Sequence, residues 1–132
     1  MNDAAERKLA LSFLWVAFGA FAVACFLGEY QVLERSGFIP ALESPTVYFA
    51  SVSTHGVLMA FVLTFFFIMG FSYYIAATSL QQPIWNIKLA WYGYGISLFG
   101  TVLAAYPLLT GQASVLYTFY LPIQAHVAFY LG

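Results

Sequence analysis

Residues able to carry chemistry are few in this chain of 132 residues: two histidines, one cysteine, five acids and four Lys or Arg. Only His55 falls well inside a long uncharged stretch. An ionisable side chain in such a place is costly and marks a functional site by default. Neutral imidazole offers a lone pair suited to haem iron, copper or zinc. Gly56 beside it removes a side chain, which would let a broad flat ligand approach. Met59, Val62 and Leu63 continue apolar surface along the same face at helical spacing. That face fits a haem edge and another helix equally well. A ligating histidine needs an acceptor for its other ring nitrogen, and Ser51, one turn back, is the expected partner through its carbonyl or hydroxyl. On spacing alone, a metal ligand and a hydrogen-bonded helix contact or proton carrier weigh the same.

The remaining candidates are weaker. His126 lies near Tyr117, Tyr120 and Tyr130, a setting that reads as an interfacial aromatic belt with an interfacial histidine. Phe61, Phe65, Phe66, Phe67, Phe71, Tyr73 and Tyr74 cover several faces of one helix, which points to lipid contact and helix packing rather than a cofactor box. A single cysteine forms no internal disulfide, and no C-x-x-C pair is present. No G-x-S-x-G elbow, phosphate-binding loop or H-E-x-x-H motif appears. All five acids fall outside the apolar runs, so no buried carboxylate completes a Ser-His-Asp triad or an internal proton relay.

These residues need elements to position them, and composition sets what the elements are. Hydrophobic residues make up 63% of the chain and charged ones 7%, against about 25% charged in a soluble domain. So few charges cannot cover a water-facing surface. A soluble domain, a disordered chain and a nucleic-acid binder with a basic face are excluded. An all-α integral membrane protein in a lipid bilayer remains.

Charges divide the sequence into spans. Arg7 and Lys8 precede an uncharged run from Leu9 to Gly28, long enough to cross about 30 Å of hydrocarbon and too long for an ordinary signal-peptide core. Glu29 to Pro45 reads as a solvated loop. The second span is expected at about 47–77, with His55 about 12 Å into it, and the third at about 88–109 after the polar Gln81-Gln82-Pro83 break. A fourth apolar run starts near Ile123 and stops at Gly132, so it reads as a span cut short. Arg7, Lys8 and Lys88 on one side against Arg35 on the other favour a cytoplasmic N-terminus and place His55 in the outer half. Ala20/Ala24/Gly28, Gly93/Ser97 and Gly100/Ala104 recur every four residues, a spacing that lets helix backbones approach.

Two stretches carry a family resemblance. They are Ser53-Thr54-His55-Gly56-Val57-Leu58-Met59-Ala60-Phe61-Val62, and Leu116-Tyr117-Thr118-Phe119-Tyr120-Leu121-Pro122 leading to His126-Val127-Ala128-Phe129-Tyr130-Leu131-Gly132. Together they resemble the N-terminal part of subunit I of the haem–copper oxidases, most of all the B-type branch of prokaryotic terminal oxidases. The resemblance implies that residues 1–132 form three transmembrane helices and the start of a fourth, part of a twelve-or-more-helix bundle. It implies that His55 is one axial ligand of a low-spin haem. A high-spin haem and a copper ion, bound by later residues, would reduce oxygen to water with proton translocation. Implied partners are the remaining helices of subunit I, a subunit II with a copper electron-entry site, and cytochrome c or a similar donor. The implied location is the prokaryotic plasma membrane. No catalytic residue falls within these residues, and alone they are expected to be inactive and prone to aggregation. His126 matches a family position but receives no ligand role. A nitric oxide reductase large subunit shares the span-two histidine and stays open, as does a small non-enzymatic membrane subunit with His55 as a helix contact.

Overall fold

The computed structural model describes residues 4–40, 45–113, 115 and 124–132. Among these residues every regular element is helical: α1 (Ala4–Arg35), α2 (Pro45–Val57), a π-helical segment (Leu58–Leu63), α3 (Thr64–Leu80), α4 (Ile87–Leu109) and α5 (Val127–Leu131). Three helices are long and apolar enough to cross a membrane: α1, the continuous run Pro45–Leu80, and α4. The start of the fourth run, near Ile123, lies outside the described residues, and its helix is seen from Val127.

Helix α1 runs beyond the apolar core read from charge, carrying Glu29, Glu34 and Arg35 in its last turns rather than in a loop. Glu, Gln, Leu and Arg are good helix formers, and Arg35 complements the negative end of the helix dipole. Gly37, at φ 74°, ends it: its N–H donates to Glu34 O at 3.1 Å, and the Phe38 N–H donates to Leu33 O at 3.1 Å. A left-handed residue at this point is the usual device for satisfying the last carbonyls. Helix α3 stops at Gln81, also left-handed at φ 51°. Helix α4 begins on Asn86, whose side-chain oxygen accepts from the Leu89 N–H at 3.0 Å.

The second span is not one regular helix. Six residues after Val57 widen into π geometry, and Thr64 Oγ1 donates to Met59 O, five residues back, at 3.0 Å. The regular helical projection that carries Met59, Val62 and Leu63 along the His55 face therefore fails past Val57. Val62 and Leu63 instead pack against the cluster around Phe13 on α1.

Packing is inside-out by the standard of a soluble protein. Trp15, Phe18, Phe21 and Phe26 of α1 point outward, while Ala10, Ala17, Ala20 and Ala24 are buried. Small residues on the inner stripe let backbones approach. At Gly70 on α3 an added Cβ would lie 2.9 Å from Ala10 O and 3.0 Å from the Phe13 Cβ, so only glycine fits that crossing. Leu9 and Phe13 are the large exceptions. The Phe13 ring lies 5.7 Å from Phe66, 5.7 Å from Tyr73 and 5.0 Å from Tyr94, joining α1, α3 and α4. Of the small pairs on α4, Gly100 and Ala104 face Gly132, whereas Gly93 has open space around it.

One buried acid ties this frame together. Glu6, only 4% exposed, accepts the Ile84 N–H on Oε1 at 2.7 Å, pinning the α3–α4 connection to the start of α1. Removing the acceptor strands a partly buried N–H, at about 1–3 kcal/mol. Glu6→Ala in the full-length protein is expected to lower the thermal unfolding midpoint. Glu6→Gln, which keeps an oxygen acceptor, should recover most of the loss. Equal midpoints for Glu6→Ala and the unaltered protein would show that the bond contributes nothing.

Candidate functional site

His55 lies ten residues after Pro45, on α2, and is half-buried against α1. Its Nδ1 is 2.8 Å from the carbonyl oxygen of Ala24, a fully buried residue of α1. A carbonyl can only accept, so Nδ1 carries the proton and donates. The tautomer is thereby fixed, and the lone pair resides on Nε2. A hydrogen bond at the far nitrogen fixes the orientation of such a ring.

The acceptor differs from the one expected. Ser51 Oγ donates to Tyr48 O of its own helix at 2.7 Å and does not serve the ring. The neighbours behave alike: Ser53 Oγ donates to Phe49 O at 2.9 Å and Thr54 Oγ1 to Ala50 O at 2.8 Å. A hydroxyl within a helix reaches the carbonyl three or four residues back more readily than an adjacent side chain. In a nonpolar surround that bond removes the cost of an unmatched donor. The polar Ser51–Thr54 run is thus internally satisfied, and the acceptor for His55 comes from another helix. Gly56 follows His55 on α2, half-buried.

His126 stands apart from this site. It is exposed, caps α5 by accepting the Ala128 N–H on Nδ1 at 3.2 Å, and lies edge-on to Tyr106 at 6.4 Å. The backbone N–H of His126 donates to Gln112 O at 3.0 Å. Tyr117 and Tyr120 lie outside the described residues, and Tyr130 is exposed on α5. The aromatic side chains of the second span divide as packing requires. Phe66 is buried, Tyr73 is half-buried against the Phe13 cluster, and Phe67 and Phe71 stack on each other at 5.9 Å while exposed. Phe61, Phe65 and Phe66 line an apolar cavity of about 630 Å³ that also touches Ser97 and Thr101 of α4. His55 does not line it.

Three polar atoms beyond Ala24 on α1 escaped the sequence reading, which placed them in or beside a loop. Tyr30 Oη, Gln31 Nε2 and Glu34 Oε2 are buried; Tyr30 and Glu34, one turn apart, face each other, and Gln31 Nε2 has no hydrogen-bond partner. Gln31 shares a face with Ala24 and Gly28, seven and three residues before it. The signal available in the sequence was this helical spacing of polar residues continuing the small-residue stripe.

No group of three or more His, Cys, Asp or Glu side chains able to hold a metal ion occurs among the described residues. Haem brings its own equatorial nitrogens and needs only axial ones from the protein. One tautomer-fixed histidine at a helix interface fits an axial position. The class of protein so defined is a helical membrane protein presenting a single oriented imidazole between two spans.

Comparison with known proteins carries this further. The family described as "Cytochrome C and Quinol oxidase polypeptide I" matches residues 8–132, and the chain belongs to that family. It is 36% identical over 136 residues to cytochrome c oxidase subunit 1 of Thermus thermophilus, covering 96% of this chain and 24% of the relative. It also matches a solved heme-copper terminal oxidase dimer at a TM-score of 0.90 and 37% identity, over 98% of this chain and 22% of that one. The chain therefore spans about a quarter of the relatives it matches. It is a multi-pass membrane protein of an oxidoreductase family whose members carry haem and copper.

The cap at His126 is a local matter of helix stability. His126→Ala removes the acceptor for the Ala128 N–H and is expected to lower stability by about 0.5–2 kcal/mol, while His126→Asn retains a capping oxygen. In the full-length protein, the two variants should separate in thermal midpoint and coincide in visible absorption spectrum. A changed spectrum in His126→Ala alone would give His126 a ligand role.

Proposed function

We propose that this chain is the N-terminal part of the catalytic subunit of a respiratory terminal oxidase, and that His55 supplies one axial ligand of its low-spin haem. The observation carrying this reading is the Nδ1–H bond of His55 to Ala24 O at 2.8 Å, which leaves Nε2 as the ligating atom. Haem, when bound, supplies reversible one-electron iron chemistry. The protein tunes that chemistry through axial ligand, outer hydrogen bonds and burial.

Each element has a part in holding such a group. Helix α2 brings the ring to the interface, and α1 supplies its acceptor. Gly56, next to His55, adds no side chain that would hinder the approach of a flat macrocycle. The Gln31 amide, buried and unpartnered on the same face of α1, is a donor suited to a carboxylate on the edge of that macrocycle. Outward aromatic side chains on α1 and α3 keep the interface in lipid and exclude water.

The finer reading extends to the whole protein. Electrons from cytochrome c or a similar donor would enter through a subunit II with a copper site. They would pass by the haem at His55 to a high-spin haem and copper held by residues beyond this chain, where oxygen is reduced to water and protons are translocated. The Arg7, Lys8 and Lys88 distribution favours a cytoplasmic N-terminus, and the resemblance to prokaryotic oxidases supports a plasma-membrane location.

The test is His55→Ala beside Ser51→Ala in the full-length subunit. His55→Ala is expected to abolish the low-spin haem absorption and electron transfer to the oxygen site. Ser51→Ala, which removes only a bond within α2, should leave the spectrum unchanged and shift stability by about 1 kcal/mol or less. A low-spin spectrum and full turnover persisting in His55→Ala would overturn the ligand role.

A further inference from the structure

Helix α1 touches the His55 ring at two points, and the second is a glycine. Gly28 lies four residues past Ala24 in unbroken helix. Side chains on a helix lean toward its N-terminus, so a Cβ at position 28 would lean over the carbonyl of Ala24. Built there, it would lie 3.1 Å from His55 Cε1, 3.4 Å from Nδ1 and 3.9 Å from Nε2. The first distance is shorter than carbon atoms normally tolerate. The ring cannot retreat without lengthening its 2.8 Å bond to Ala24 O. Gly19, on the same helix, has nothing within 4 Å of an added Cβ. The two glycines of α1 therefore differ sharply in what they permit.

We infer that Gly28 is a positioning residue for the axial histidine: by lacking a side chain it uncovers the Ala24 carbonyl and seats the His55 ring, setting the ring plane and the strength of its hydrogen bond. This rests on His55 being a haem ligand and adds a role for α1 in tuning that ligand. A donor bond at Nδ1 strengthens imidazole as an electron donor to the iron bound at Nε2, which favours the oxidised metal. Weakening the bond should make the haem easier to reduce. Rotating the ring should change the magnetic anisotropy of the ferric state, because that anisotropy follows the orientation of the axial ligand planes.

The experiment compares Gly28→Ala with Gly19→Ala in the full-length oxidase. Readouts are the electron paramagnetic resonance g values of the ferric low-spin haem and its reduction midpoint in a redox titration. Gly28→Ala is expected to keep a low-spin haem, move its g values, and shift the reduction equilibrium toward the reduced form by about threefold to tenfold, the scale of one weakened hydrogen bond. Gly19→Ala should match the unaltered protein in both. Unchanged g values and midpoint in Gly28→Ala would overturn the inference. So would equal changes in the two variants. Should Gly28→Ala assemble without haem, the unaltered enzyme carries the test: ¹⁵N NMR of its histidine-labelled, reduced form is expected to show His55 Nδ1 protonated and strongly hydrogen-bonded. An Nδ1 without that bond would overturn the seat. A low-spin haem surviving in His55→Ala would instead sink the underlying ligand assignment, so the two failures are separable.

Discussion

A polar atom inside a bilayer has no water to turn to, so it must find its partner within the protein. Most of the local structure around the site follows from that constraint. Ser51, Ser53 and Thr54 return their hydroxyl protons to carbonyls of their own helix. Glu6 accepts a backbone N–H from the α3–α4 connection. The Nδ1 of His55 does not bond to its own helix in this way. It reaches across to Ala24. The same need that satisfies a polar ring thereby fixes its tautomer and ties α2 to α1.

That bond is available only because of how the helices approach. A helical carbonyl lies close to the axis, shielded by the side chains of the turn that follows. Ala17, Ala20, Ala24 and Gly28 thin that shield along one stripe of α1, and Gly70 does the same for α3 against Ala10. Large aromatics are moved to the lipid face, where they cost nothing because lipid tails are as apolar as they are. Helix packing and ligand orientation are here one geometric problem.

Different parts of this arrangement were legible in the sequence to different degrees. The scarcity of charge made a helical membrane protein the reading, and His55 stood out because nothing else ionisable shared its stretch. Charge misled at the end of α1. Glu29, Glu34 and Arg35 look like a loop by polarity, yet they are good helix formers and the helix continues to Arg35. The π-helical turn after Val57 has no clear compositional mark, and it spoiled a face projected at regular helical spacing. Ser51 was the natural acceptor for the ring by sequence distance. Ala24 could not be named, since a backbone carbonyl on another helix leaves no residue-type signature. The small-residue stripe did point to the right helix, though not to its use.

A site to which a chain gives a single side-chain ligand places unusual demands on that chain's surroundings. Where three or four side chains bind a metal, each constrains the others and the geometry is over-determined. A lone axial histidine has no such partners on its own helix, and rotation about its side-chain bonds would blur both its direction and its donor strength. The missing constraints must come from the outer hydrogen bond and from steric contact with the ring. In this chain both come from α1, one from the carbonyl of Ala24 and the other from the bare backbone of Gly28. On the proposed reading, a change of helix packing at α1 would reach an iron held at His55 through the imidazole without altering any ligand. The electronic character of such a site would then depend on the crossing of α1 and α2 as well as on the identity of His55.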